Sequence, residues 1–437
     1  MMQKWEFSLK YYQDSSAALD TALKEIPAYQ SWRDFDPGVL LSVDTRYQAM
    51  PVLTKKDIRE YFPLGFVSPG VNIQHALDSG EISFVSTSGT TDDKVTNIWN
   101  QKWWDASERA SWKLNTYAAR LATGEHPEAI LVNPLNVGIA SDNSDLPLEN
   151  RRLARFLYLS ERTNYTAWTA EHMDRMIREL AVFRPVILEA NPSLLARLCR
   201  YIIASGQTVF QPGLIVLTYE NPTNLHYRQI RKVFTSPTAS SYGTTETGYV
   251  FMQCEAGKFH QNTQFCRVDF QPLKKEHGGP SLGRILVTPF HNEWYHLLRF
   301  DVGDLVRVEE TGKCSCGRHE GIILAATEGR CVNATLTCAG RLVTSRELDN
   351  HLSTLEEIDE YKLEQTAPGT YELHLASRTP DKRELSESAA SVLKGLYGRE
   401  AKIAVIHEEM IAPEVSGKYR LSKTLFPLKI EDYLEKG

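Results

Sequence analysis

The chain has 437 residues and a mass of 49.5 kDa, enough for about three compact units or for a large domain with a smaller one. Hydrophobic residues at 42% and charged residues at 24% exclude a disordered or collagenous protein. A net charge of −6 and a pI of about 6.1 supply no bulk positive field, so no nucleic-acid partner is expected. No apolar run approaches the roughly 18–20 residues that span a bilayer, and the first sixteen residues lack the apolar core of a secretory signal. No membrane association is expected, and a cytoplasmic location is. The cysteine count, seven, is odd, which favours reduced thiols used for metal binding or burial over disulfides.

In chain order, residues 1–80 read as mostly helical. Thr54 as N-cap, with Asp57 at the third helical position, marks a helix start. A short strand over 81–85 runs into a hydroxyl-rich loop. Helical periodicity covers 102–122 and 168–183, and Trp99, Trp103, Trp104 and Trp112 read as helix packing. Residues 185–190 form a buried strand, Pro192-Ser193 opens a helix over 194–204, and 214–218 is a second buried strand. Strands alternating with helices predict an α/β architecture with a largely parallel sheet. Beyond 280, short strands are predicted at 285–289, 297–300 and 305–308. A smaller α+β region follows, with a helix at 345–354, strands at 358–364 and 370–376, a helix at 383–397 and a strand at 401–407. The expected division is 1–330 and 333–437.

Chemistry concentrates in a few motifs. Ser86-Thr87-Ser88-Gly89-Thr90-Thr91 offers five hydroxyls beside a glycine, a combination that can cradle phosphate oxygens. Tyr242-Gly243-Thr244-Thr245-Glu246 adds an aromatic face for a purine and a carboxylate for Mg²⁺. Asp304 follows Gly303, where a carboxylate can accept from both hydroxyls of a ribose. Lys418 sits on a Ser416-Gly417 turn near the C-terminus. Cys254-x5-His260 and Cys314-x-Cys316, brought together by the fold, make a tetrahedral Cys3His zinc pattern, with Gly317 suited to the tight turn and Cys266 as a substitute ligand.

In their order along the chain, residues 87–91, 242–246, 298–304, 329–330 and 413–418 resemble the core motifs of the adenylate-forming enzymes. That superfamily takes in acyl-CoA synthetases, peptide-synthetase adenylation domains and luciferases. Pro51, Thr54, Lys55, Asp57 and Arg59, together with the Cys314–Arg318 segment, bring the chain nearest to the phenylacetate-CoA ligases, some relatives of which carry a structural zinc here.

The resemblance implies a large N-terminal domain of mixed and parallel sheets with helices, carrying a zinc-binding insertion, and a small mobile α+β C-terminal domain. It implies that Ser88, Gly89, Thr90 and Thr91 hold the ATP β- and γ-phosphates. Tyr242, Gly243 and Thr244 would line the nucleotide, with Tyr242 on adenine. Thr245 would contact the α-phosphate, Glu246 would bind Mg²⁺, and Asp304 would hold the ribose with Arg330 nearby. Lys418 would reach the carboxylate and α-phosphate. Cys254, His260, Cys314 and Cys316 would hold Zn²⁺. The implied reaction activates a carboxylic acid, aromatic or small acyl, to an acyl-AMP with pyrophosphate release. It then transfers the acyl group to coenzyme A. The alternatives are transfer to an amine, hydroxyl or protein acceptor, and a non-catalytic nucleotide-binding relic. A homodimer stays open.

Three departures from the family pattern stand out. Asp92-Asp93-Lys94 replace the second glycine and proline of the phosphate loop. The hinge reads Gly329-Arg330-Cys331-Val332-Asn333, with no acidic residue. A polar stretch over 133–149 replaces a glycine-rich acyl-site segment.

Overall fold

The computed structural model describes residues 5–87, 94–142, 144–414 and 419–435. Its contacts divide into two compact units, Met1–Ala119 with Ser241–Pro272 and Gly283–Ala326, and Arg120–Ser240 with Leu273–Leu282 and Thr327–Gly437.

In the first unit, helices Leu9–Glu25, Val43–Ala49 and Lys55–Tyr61 pack on antiparallel strands. The third helix starts where the sequence places it. The Thr54 N–H donates to Asp57 Oδ2 at 2.8 Å, one half of a capping box. The strand Thr238–Thr244 pairs with Gly248–Gln253, and that strand with Phe259–Gln261. Ile323–Arg330, Phe300–Val308, Leu282–Pro289 and Cys266–Pro272 continue the order. Leu19, Tyr47 and Ile58 from these helices, and Phe66 from the short turn Leu64–Phe66, meet Phe251, Val287, Phe300 and Leu324 from the strands in one core. Each such side chain contributes roughly 1.5–3 kcal/mol by leaving water.

Two expectations change. The helix read over 102–122 is two, Gln101–Trp112 and Thr116–Leu121, because Asn115 Oδ1 accepts from the Ala118 N–H and starts the second. The strand read over 297–300 is absent. Arg299 has φ +50, a left-handed conformation that ends extended backbone, while its guanidinium reaches the Tyr47 carbonyl. The strand begins at Phe300 and runs unbroken to Val308, absorbing the one read at 305–308.

In the second unit, Phe156–Tyr158, Glu128–Leu131, Ile187–Ala190 and Leu214–Leu217 run parallel, with Arg152–Leu153 antiparallel at the edge. Helices Ala170–Phe183 and Pro192–Ser205 bury Leu180, Leu195 and Leu198 against Leu131, Leu188 and Leu217. Asn191 caps the second helix through the Ser193 and Leu194 N–H groups, with Pro192 at its first position. The described residues of 343–424 keep a sheet of their own, ordered Lys402–Glu408, Thr370–Ser377, Ile358–Ala367, Ser422–Thr424. Helices Ser345–Leu352 and Lys382–Tyr397 cover its core of Leu348, Leu363, Leu373 and Leu393.

Burial pushes the Asp349 carboxyl up to about 6, against the pull of the Asn224 N–H. The folded value lies above the unfolded value of about 3.9, so the folded chain binds this proton more tightly. The contribution is full below the unfolded pKa and is lost as pH rises through about 6. Asp349→Asn should therefore flatten the dependence of the urea midpoint on pH between 4 and 7. Parent and variant profiles of equal slope would show that Asp349 titrates normally.

Candidate functional site

The hairpin of Thr238–Thr244 with Gly248–Gln253 positions the first group of candidate residues. Its register slips between Tyr242 and Gly243, a bulge that re-aims the side chains beside it. A Cβ at Gly243 would lie 2.4 Å from the Gly248 carbonyl oxygen, so no larger residue fits. Gly248 has φ +69, and a Cβ there would strike the Trp103 ring at 2.7 Å. The Thr247 N–H closes the turn on Thr244 Oγ1 at 3.2 Å. At the tip Thr245 is half-buried and Glu246 is buried.

The structure joins two of the motifs directly. The Tyr242 hydroxyl donates to Asp304 Oδ2 at 2.7 Å across 62 positions of chain. Asp304 lies on Phe300–Val308 immediately after Gly303, whose φ is +77. The Tyr242 ring is tilted 56° to Phe251, with centroids 6.0 Å apart, which fixes the phenol on the core side. Glu246 makes itself felt inward. Burial, and then the Glu246 charge, raise the Tyr295 phenol well above its ordinary pKa, and the Tyr295 hydroxyl donates to Asn97 Oδ1 at 3.1 Å.

Ser88, Gly89, Thr90 and Thr91, and Lys418, lie outside the described residues. Their flanks are described. Ser83–Ser86 pairs antiparallel with Thr96–Trp99, and the Thr87 N–H donates to the Val95 carbonyl at 2.9 Å, so a hairpin stem brackets 88–94. Beyond Lys418, the Tyr419 N–H donates to Glu220 Oε2 at 3.1 Å. Glu220 follows the parallel strand Leu214–Leu217, at the carboxyl edge where ligands of such sheets bind. In the sequence Glu220 reads as a residue lining the nucleotide or acyl pocket or as a cap, and its partner Tyr419, 199 positions away, is not legible there. Arg330 ends Ile323–Arg330 in the second unit, ahead of the short turn Cys331–Asn333, whereas Asp304 belongs to the first.

The four residues of the Cys3His pattern meet. Their ligand atoms all lie within 4.8 Å of one another. Cys254 Sγ and Cys314 Sγ are 3.7 Å apart, and Cys316 Sγ is 3.3 Å from His260 Nε2. A tetrahedral ion with metal–sulfur bonds of about 2.3 Å requires S···S edges of about 3.8 Å, so the spacing suits one. Cys254 follows Gly248–Gln253, and His260 is on Phe259–Gln261. The Gly317 N–H, from a residue with φ +83, closes the other turn on the Cys314 carbonyl at 3.1 Å. Burial and the Arg318 charge hold the His260 imidazole down to about 4, which keeps it neutral with a lone pair for a metal. Burial pushes the Cys254 thiol up to about 12, while at Cys316 burial is outweighed by hydrogen bonds from Arg318. Cys266 is no substitute ligand, since its thiol is buried near the Asn262 carbonyl and outside the group. Among the described residues Asp145, Glu161 and His172 also converge. There Arg175 and Arg162 already pair with the carboxylates at 2.6 Å, which leaves little charge to hold a cation.

No family model matches the chain. Over 192 residues it is 24% identical to Protein CapK of Staphylococcus aureus, and the match covers 41% of this chain and 42% of that protein. The chain thus spans about two fifths of that relative's length. Among solved structures, 2-hydroxyisobutyryl-CoA ligase in the postadenylation state with R3-HIB-AMP superposes with a TM-score of 0.70 at 16% identity, over 95% of this chain and 88% of that one. The same enzyme in an open conformation with 2-HIB-AMP and CoA gives 0.58 at 15% identity, over 95% and 91%. The amide bond synthetase McbA from Marinactinospora thermotolerans gives 0.54 at 14% identity, over 82% and 69%.

Tyr242→Phe removes a hydrogen bond to a charged acceptor, a class worth about 1.5–3 kcal/mol. The variant should lose unfolding free energy within or just below that range, seen as a lower urea midpoint, because the ring is half-buried. An unchanged midpoint would mean that the bond adds nothing to stability.

Proposed function

We propose that this chain, which has the α/β fold of the adenylate-forming ligases, activates a carboxylic acid with ATP. The observation that carries this reading is the contact between Tyr242 and Asp304, which joins two motifs far apart in sequence into one surface suited to a nucleoside. The likeness of the fold to acid-CoA ligases and to an amide bond synthetase supports it.

In this reading Tyr242 packs on adenine beside Gly243 and Thr244. Asp304 accepts from the ribose hydroxyls, with Arg330 assigned to the same nucleotide. Ser88, Gly89, Thr90 and Thr91 hold the β- and γ-phosphates, and Thr245 contacts the α-phosphate. An oxygen of the substrate carboxylate attacks the α-phosphorus, an acyl–phosphate bond forms, and the α–β bridging bond breaks to release pyrophosphate. Negative charge grows on the phosphoryl oxygens, and Lys418 is the cation assigned to meet it. Glu246 offers the hard oxygen that Mg²⁺ takes, and a magnesium ion held there would supply further positive charge. The second step, displacement of AMP, goes to coenzyme A as acceptor in the phenylacetate-CoA ligase-like manner. An amine, hydroxyl or protein acceptor is the second reading, favoured by a hinge at 329–333 without an acidic residue. We take 1–330 as the ATP- and acyl-binding part and 333–437 as the lid.

We assign Zn²⁺ to Cys254, His260, Cys314 and Cys316. Four protein ligands close the coordination sphere, so the role is structural. Arg318 pairs with Glu255 at 3.1 Å beside the group and would steady its turn. The ion would tie the end of the nucleotide hairpin to the turn that follows the Asp304 strand.

Carboxylate-dependent pyrophosphate release should appear for some member of an acid panel, and Lys418→Ala should depress it by about 10²–10³. Release that never depends on coenzyme A would favour the second acceptor class, and silence for every acid would sink acid activation. Protein purified without chelator should carry close to one zinc per chain. Cys314→Ser with Cys316→Ser should lose the metal and lower Tm while ATP binding weakens only secondarily. Elemental analysis finding well under one ion per chain would remove the assignment.

A further inference from the structure

Two eight-residue helices of the second unit cap each other. The first residue of Asn224–Arg231 donates its N–H to Asp349 Oδ2 at 2.7 Å, and Asp349 belongs to Ser345–Leu352. In return Arg228, in the last turn of the first helix, reaches past the end of the second. Its guanidinium donates to the Ser353 carbonyl at 3.0 Å and to the Ile358 carbonyl at 2.8 Å. A carboxylate at a helix N-terminus and a cation at a helix C-terminus each complement the macrodipole there. Thr223 caps the first helix locally through the His226 N–H at 3.1 Å, and the charges on the opposing helices add to what each helix supplies at its own ends.

The seam around them mixes polar pairs with apolar side chains such as Leu225, Ile411 and Leu421. Asn224 Nδ2 donates to Asn350 Oδ1 at 2.9 Å, Gln229 to the Asp359 carbonyl at 3.0 Å, and Arg200 pairs with Glu360. The cavity along it is about 30 Å³, room for little more than a water. Two apolar plugs cross it, Leu225 entering the core of residues 343–421 and the Tyr419 ring entering the core of the parallel-sheet helices. Tyr419 is also the residue whose N–H meets Glu220, and its hydroxyl lies 3.4 Å from Arg197 Nη1. The clamp therefore fixes the C-terminal sheet at one end and seats Tyr419 at the carboxyl edge of the parallel strands at the other.

We propose that Arg228 and Asp349 are positioning residues for the acid-activating step, acting by clamping the helix Ser345–Leu352 and the strand Ile358–Ala367 against the helices Pro192–Ser205 and Asn224–Arg231. The inference rests on the acid-activation reading above. Neither residue touches a reacting atom. Each acts by fixing where Tyr419 and the strand Ile358–Ala367 lie.

The full-length chain and Arg228→Gln should be compared by hydrogen exchange, urea unfolding and acid-dependent ATP–pyrophosphate exchange. Loss of the clamp should speed amide exchange over 345–364 about tenfold, while the urea midpoint moves little. Pyrophosphate exchange should fall in kcat by about tenfold with KM for ATP within about twofold. Arg228→Lys, which keeps the charge, should recover part of both effects. Exchange rates and kcat at the parent level would overturn the proposal. So would a fall in protection spread evenly over the whole chain, the sign of a residue that only stabilises the fold. If the parent itself shows no acid-dependent exchange, acid activation falls. The local hydrogen-exchange result then decides the clamp, and unchanged protection over 345–364 overturns it.

Discussion

The approach of two strands at Gly243 governs the first unit. With the Gly248 carbonyl 2.4 Å from where a Cβ would sit, the hairpin closes only without a side chain. That closeness, with the bulge beside it, decides where Tyr242 points. The same hairpin carries Glu246 at its tip and delivers Cys254 at the end of its second strand. The residues proposed for the nucleotide and those proposed for the metal are thus placed by one register. A slip of one residue would turn every side chain of the strand to its other face and separate Tyr242 from Asp304.

The sequence was most legible where structure is decided locally. The Thr54–Asp57 capping box and the helix opened by Pro192-Ser193 need only a few neighbouring residues; the first lies where the reading placed it, and the second starts at Pro192, two residues before the expected 194. The Cys3His group was legible for another reason. Short spacings within each pair leave a single long-range closure to be made, and the residue types say which chemistry would close it. Order along the chain put Tyr242 and Asp304 in one group without giving their contact.

What was missed depends on partners remote in sequence. Arg299 is left-handed, its backbone held between Thr288 and Leu53 and its guanidinium on the Tyr47 carbonyl, and no propensity marks that position. Asp349 reads as an ordinary helix acid until the Asn224 N–H, 125 positions away, is seen to need it. Glu220 gains its partner only when the C-terminal segment arrives. Helix ends that look frayed or poorly capped in the sequence are the places to look for such partners, since buried N–H and carbonyl groups must be satisfied somewhere.

The second unit uses two kinds of adhesive, and the difference bears on how it works. The parallel strands and their helices are joined by a dry cluster of Leu, Ile and Met, which resists any partial opening because every exposed side chain costs its transfer free energy. Residues 343–421 have a comparable core of their own, yet what joins the two is hydrogen bonds, reciprocal charges at helix ends and two plugs, Leu225 and Tyr419. Surfaces of that composition resemble separable interfaces more than the inside of a domain. Water can replace polar contacts at small net cost, whereas a core cannot be rewetted cheaply. The physical design therefore gives the C-terminal sheet its own stability and leaves its seat on the parallel-sheet helices as the weaker link, set by a few named side chains.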